Sequence, residues 1–290
     1  MKIIDMHSHW GTKRGYVLQT PEELAQQRAT WHSDPDYKTE DEMAQYFRDN
    51  NARVILDLGF SKFLPPEQMQ SLHDYSFATE RAHQDVILGH WFHIDPSMGA
   101  AGVKELRRCI DNRVGFVGYA VSASKSPPGS DPSYAPFYKL CIEAGIPILF
   151  FVGTTGLGAG LPGGGGVILD NCHPRHLDLV AVRYPELKII AARPGWPWQT
   201  ETLAVLMHKR NIWYELHGWS PKYHTADLKH DISRRLKDRV MFGGDYPLFG
   251  YERLVRDWQA EGYAPDLLEK IFHRNAETFF KSLSQPWTWN

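Results

Sequence analysis

Short apolar runs recur along the chain at 3–7, 53–60, 86–94, 114–121, 146–152, 187–192, 212–217 and 239–243. Runs of this length, bounded by polar and turn-forming residues, predict strands. Stretches of helical period follow nearly all of them. Between 170 and 184 the apolar residues Leu177, Val180, Ala181 and Tyr184 fall three and four apart, and Leu203, Leu206 and Met207 repeat the period within 199–209. Thr39 followed by Glu42 reads as a capping box that opens a helix over 40–50. Eight strands alternating with helices over about 250 residues predict an α/β fold, a (β/α)8 TIM-like barrel. The barrel takes in the whole of 1–290 as one domain, with no linker and no internal repeat. An open doubly wound sheet is the alternative, but no GxGxxG follows the first strand.

Two segments break the pattern. Residues 10–38 form a long polar and aromatic insertion after the first strand, and residues 153–169 form a glycine-rich loop after the fifth. In a barrel both lie at the C-terminal face of the strands, where active sites are built. Loops of this length act as lids or binding segments, or else as plain connections. The glycine run lacks the GK[ST] of a phosphate-binding P-loop.

Candidate chemistry starts at His7 and His9. Residues two apart on a strand share a face, so the two imidazoles project together from the end of the first strand. Neutral imidazole is a favoured ligand of zinc and similar ions. Asp245, at the end of the last strand, supplies a carboxylate for the same mouth. Two histidines and one aspartate leave a position open, which is the pattern of a catalytic metal site. Without a metal, the same residues would hydrogen-bond inside the barrel mouth. His90 and His93 are three apart and point to opposite sides of their strand. His173 and His176 open a helix and read as capping or packing residues.

Composition narrows the partners. The net charge is -2 with acids and bases interspersed, so neither nucleic acid nor an anionic membrane is expected. No apolar stretch approaches a membrane span, and no secretory leader is expected. Three cysteines without CxxC spacing read as reduced thiols in a cytoplasmic protein. Ten tryptophans suit a pocket for an aromatic substrate or, equally, a tryptophan-rich core.

Several segments together resemble the amidohydrolase superfamily in its amidohydrolase-2 branch, which includes aminocarboxymuconate-semialdehyde and resorcylate-type decarboxylases. They are Asp5-Met-His-Ser-His9, Gly153-Thr-Thr-Gly156, His173-Pro-Arg-His-Leu-Asp178, Pro194-Gly-Trp-Pro-Trp198, Gly218-Trp-Ser-Pro-Lys-Tyr223, Phe242-Gly-Gly-Asp-Tyr-Pro247 and Asn275-Ala276. The resemblance implies an amidohydrolase-type barrel with one divalent metal, zinc or else manganese, on His7, His9 and Asp245, and such barrels often pair as homodimers. Two departures accompany it. The family pattern has a metal-binding histidine where this chain has Phe151, and a histidine acting as acid or base where it has Arg193. Phenylalanine cannot ligate, and arginine does not give up its proton.

The remaining candidates follow from those departures. His217 is the replacement base or extra ligand, with Glu215 two residues earlier as a weaker one. Arg193 clamps an anionic substrate or stabilises an oxyanion; paired with Asp245 instead, it would replace the metal altogether. Arg14, Trp10, Phe151 and Trp196 are expected to contact a small aromatic or anionic substrate, with Asp245, Arg193 and His217 as the catalytic group. Three functions fit: a hydrolase cleaving a carbonyl compound, at its most specific the C–C bond of an aromatic β-keto acid or β-ketoacyl thioester; a nonoxidative decarboxylase of a hydroxylated aromatic acid; and a metal-free binding protein.

Overall fold

A computed structural model describes residues 1–283. Its eight strands are β1 Ile3–Ser8, β2 Ala52–Asp57, β3 Ile87–Phe92, β4 Phe116–Val121, β5 Ile148–Phe151, β6 Ile189–Ala192, β7 Ile212–Glu215 and β8 Val240–Met241. All pair in parallel, each with its neighbour in the chain, in the order β1 to β8. Backbone hydrogen bonds complete the ring: Met6 N–H donates to Phe242 O at 3.0 Å, and Asp245 N–H donates to His7 O at 3.0 Å. The barrel expected from the alternating pattern is therefore the fold. Every strand lies within or against the apolar run that marked it.

The helices are α1 Pro21–Trp31, α2 Glu40–Asp49, α3 Pro66–Ala82, α4 Gly99–Asp111, α5 Ala135–Ala144, α6 Pro174–Arg183, α7 Gln199–His208, α8 Ala226–Ile232, α9 Tyr251–Ala260, α10 Pro265–Glu269 and α11 Asn275–Lys281. The Thr39–Glu42 capping box closes in both directions at the start of α2. Helix α6 starts later than its periodicity suggests. Pro174 disfavours a helical residue before it, so His173 stays extended and its Nδ1 accepts the Arg175 N–H at 3.1 Å as a cap. His176 packs, its Nδ1 2.8 Å from Ser130 Oγ.

Alternation along the strands sorts the core into two layers. Ile4, Met6, Ile55, Leu88, Trp91, Phe116, Leu149, Phe151, Ile190, Ala192 and Met241 fill the barrel, with Phe279 and Phe280 of α11 packed against them. The opposite faces, among them Ile3, Val54, Leu56, Phe92, Phe150, Ala191 and Tyr214, bury against the helices.

The insertion after β1 is not wholly irregular: it contains α1, opened by a Thr20–Glu23 capping box. Six of its eleven residues are polar and the ones it buries are Gln26 and Gln27, so apolar periodicity gives no clear sign of the helix, while the cap does. Gln26 and Thr30 of α1 donate to Ala159 O in the glycine-rich loop, so the two irregular segments dock on each other.

A buried histidine–carboxylate cluster at the barrel mouth

The strand ends converge on one cluster, and alternation explains most of it. Ile55 and Asp57 share the inward face of β2, Trp91 and His93 that of β3, Leu149 and Phe151 that of β5, and Glu215 and His217 that of β7. His7 and Arg193 are exceptions. Ile4 and Met6 point inward, so strict alternation would turn His7 outward, but the β1–β2 register shifts between Asp5 and Ser8. Such an irregularity re-aims side chains next to functional sites. Asp5 fixes the turn from within: its buried carboxylate accepts from His7 N–H (3.0 Å), Gly244 N–H (2.8 Å), Tyr251 Oη (2.7 Å) and Ser8 Oγ. Arg193 follows inward-facing Ala192 and turns in through a backbone φ of 75°. Asp245 has a φ of 54°. A non-glycine residue in this region costs about 1–3 kcal/mol, and such residues gather at functional sites.

Glycines make room for these approaches. A Cβ on Gly243 would lie 1.7 Å from Glu215 Oε1, and one on Gly153 (φ 78°) would lie 2.6 Å from the Gly195 backbone. The first leaves space for a buried carboxylate; the second lets the loops after β5 and β6 touch.

Within the cluster, His7 Nε2 lies 3.0 Å and His93 Nε2 2.7 Å from Asp57 Oδ2. A carboxylate accepts, so each histidine presents Nε2–H to it, and each Nδ1 keeps its lone pair. His7 Nδ1 is buried without a hydrogen-bond partner, 3.9 Å from Asp245 Oδ1, and His9 Nε2 is 3.3 Å from the same oxygen. Donor atoms of His7, His9 and Asp245 all lie within 4.8 Å of one another. Two imidazoles and a carboxylate, with one imidazole oriented from behind by Asp57, fit a divalent cation. Burial lowers the pKa of His7, with Asp57 opposing it, which favours the neutral ligating form. On Asp57 burial acts the other way, but His93 and His7 overcome it and hold the carboxyl well below its usual range.

Arg193 does not pair with Asp245. Its Nε donates to His217 Nε2 at 3.2 Å and its Nη1 to Thr154 O at 3.2 Å, and the guanidinium lies 4.8 Å from the Phe151 ring centre. Among the described residues no carboxylate comes within 4.0 Å of it. An arginine can only donate, so His217 Nε2 is an acceptor and its proton sits on Nδ1, 2.7 Å from Glu215 Oε2. Burial, with His7 and Arg193 adding to it, pushes the His217 pKa well below its ordinary value. The His217 ring stacks on His7 with centres 3.7 Å apart. Phe151 sits edge-on to both, 5.6 Å from each.

The structure thus brings together His7, His9, Asp245, Arg193, His217, Glu215 and Phe151. Trp196 stands at the rim, 48% exposed, 6.0 Å from the ring of Trp219. Trp10 and Arg14 lie elsewhere. Trp10 is buried between Tyr75 and His90, on the helix side of the barrel wall. Arg14 bonds to Ser71 of α3 and covers the Tyr75 ring. Tryptophan and arginine in an insertion read alike whether they face a pocket or clamp the insertion to the barrel, and here they clamp. Asp57 and His93 are the residues sequence reasoning missed. Each ends or follows an apolar strand in phase with inward-facing residues, the same signal that marks Asp245. His90 does face the opposite way from His93, toward Trp10 and Glu80.

A family model described as Amidohydrolase matches residues 4–281. No curated protein matches the chain at a significant level. Among solved structures, an uncharacterized TIM-barrel protein from Bordetella bronchiseptica superposes with a TM-score of 0.72 at 18% identity, covering 96% of this chain and 98% of the other. A dihydroxybenzoic acid decarboxylase from Polaromonas, with bound manganese and the inhibitor 2-nitroresorcinol, gives 0.67 at 17% identity, covering 97% of each chain. A probable 2-pyrone-4,6-dicarboxylic acid hydrolase from Acinetobacter baumannii, with citric acid bound, gives 0.62 at 13% identity, covering 96% and 99%.

Proposed function

The chain belongs to the amidohydrolase family, and from that premise we propose that it is a metal-dependent hydrolase of a carbonyl compound. At its most specific, it cleaves the C–C bond between the two carbonyls of an aromatic β-keto acid or β-ketoacyl thioester. A divalent cation, zinc or manganese, fits His7, His9 and Asp245; as a Lewis acid it would polarise a substrate carbonyl and lower the pKa of water towards ~7.

The observation that carries the reading is Arg193, a half-buried cation held by His217 and Thr154 with, among the described residues, no carboxylate within 4.0 Å. Adding water to the aryl ketone and breaking the C–C bond leaves the electron pair on an enolate. A fixed cation stabilises that developing charge without reorganising. Asp245 Oδ2, lying against Gly218, takes the proton of the attacking water. The enolate carbon then takes up a proton, leaving an aryl carboxylate and a shortened acyl product. His217 acts through Arg193 as a positioning residue, since its Nε2 lone pair is engaged by the guanidinium.

The second reading is a nonoxidative decarboxylase, favoured by the likeness to the Polaromonas enzyme, whose substrate class is a hydroxylated aromatic acid. That reaction ends with a proton delivered to a ring carbon, and His217 Nε2, facing Arg193 as an acceptor, holds none to give.

The test follows loss of enolate absorbance from an aryl β-ketoacyl thioester, and CO2 release from 2,6-dihydroxybenzoate, in protein supplied with zinc or manganese. Thioester cleavage to the aryl acid is expected. CO2 release without it would transfer the assignment to the decarboxylase. Arg193→Lys keeps the charge but loses the planar fork, and turnover should fall roughly 100-fold.

A further inference from the structure

A second cation, this one buried, stands at the same end of the barrel. Lys62 follows β2 in the loop 58–65 and is 8% exposed. Its Nζ donates to Ser122 O and, at 3.2 Å, to Ser126 Oγ, both in the loop after β4. Among the described residues no carboxylate lies within 4.0 Å of Nζ. Burying an ammonium without a counter-ion is costly, and an apolar side chain of similar length would avoid the cost. The protein keeps the charge at the face where substrate enters.

Lys62 and Arg193 belong to one continuous arrangement. From Ser122–Ser126, bound by Lys62, contacts pass through Ala123 and Ser124 to Cys172. Gly153 N–H donates to Cys172 O at 2.9 Å, and the adjacent Thr154 O accepts from Arg193. The carboxyl that bears most on Lys62 is Asp95, which also accepts the Ser97 N–H as a cap.

We propose that Lys62 and Arg193 flank one cleft and that the substrate is doubly acidic, its reacting end meeting Arg193 and a second, remote carboxylate meeting Lys62. This rests on the reading of Arg193 as the charge facing the reacting group. The Lys62 subsite selects for that second carboxylate whichever bond is cleaved. A lysine suits the task because it offers a point charge with a donor left over after Ser122 and Ser126.

The test needs no turnover, so its failure is separable from failure of the proposed reaction. Dissociation constants of benzoate and isophthalate are measured by calorimetry on the wild type, Lys62→Met and Lys62→Arg. The wild type should bind isophthalate about tenfold more tightly than benzoate. Lys62→Met should abolish that preference and leave benzoate binding within about twofold, while Lys62→Arg retains part of it. No preference in the wild type, or an equal loss of both ligands in Lys62→Met, overturns the proposal. If Lys62→Met does not fold, the wild type alone decides. Burial lowers the Lys62 pKa to about 8, with Asp95, Cys172 and Asp57 opposing and Lys125 reinforcing the shift. The isophthalate preference should then fade between pH 7 and 9 as the ammonium is lost. A preference constant across that range overturns the assignment too.

Discussion

His7, His9 and Asp245, backed by Asp57, form one buried cluster at the barrel mouth; His73, Glu105 and Cys109 form another between α3 and α4. Both bring three potential ligand groups within 4.8 Å, and both are buried. They differ in what closes the hydrogen-bonding ledger. In the outer cluster Arg108 donates to both oxygens of Glu105, at 2.8 and 2.9 Å, and His73 Nδ1 lies 2.7 Å from Glu105 Oε1. Every lone pair aimed into that cluster is engaged, and the free His73 Nε2 lies across the ring from it. Among the described residues, no arginine comes within 4.0 Å of a carboxylate of the mouth cluster. His7 Nδ1 and Asp57 Oδ1 are left without partners. Proximity and burial look alike; the position of one guanidinium separates a cluster whose carboxylate is already paired from one that is free to take a cation.

The largest expected effect divides the two directly. His7→Ala/His9→Ala should lose about one equivalent of divalent metal by elemental analysis, and turnover should fall by more than the roughly 100-fold typical of losing an outer partner. His73→Ala should leave metal content unchanged; a loss of metal there would reverse the comparison. Asp57→Asn comes next. It keeps the shape but weakens the carboxylate behind His7, so metal affinity by titration should drop about 10- to 100-fold.

Smaller effects belong to the outer cluster. Arg108→Met strands Glu105 beside His73, and urea denaturation should show a loss of about 1–3 kcal/mol, with kcat per folded molecule unchanged. The smallest is a pH effect. Burial raises the pKa of Glu105, but His73 and Arg108 outweigh it and hold the carboxyl at about 2, below its ordinary 4.5. A depressed carboxyl contributes stability that is fully present above 4.5 and is lost as pH falls toward 2. The denaturation midpoint of Glu105→Gln should therefore depend less steeply on pH than the wild type across that window. Equal slopes would place the acid sensitivity elsewhere.

The strand runs were legible because each buries apolar residues on one or both faces, and a barrel repeats that requirement eight times. His7, His9 and Asp245 were legible for a related reason: polar residues ending apolar runs stand out. Asp57 carries the same signal but sits inside its apolar run rather than at the end of it, and the three-residue spacing of His90 and His93 hides that His93 alone is in phase with the barrel interior. Helix α1 is hidden because the side chains it buries are Gln26 and Gln27 rather than an apolar stripe, and it is held through its cap and its contacts with the glycine-rich loop. Trp10 and Arg14 have the composition of pocket residues, yet composition cannot tell a side chain facing substrate from one that packs an insertion onto α3.

The sequence by itself determined the barrel of alternating strands and helices, and the in-phase residues Phe151, Glu215 and His217, because strand alternation is a local, period-two rule. Only the tertiary structure decided how the out-of-phase residues are used. His7 turns inward because Asp5 ties the irregular end of β1 to the β8 loop, and Arg193 turns inward through a backbone conformation that surrounding contacts must hold in place. Whether Arg193 meets Asp245 or His217 is likewise a matter of where two loops cross, and no spacing along the chain encodes a distance between them.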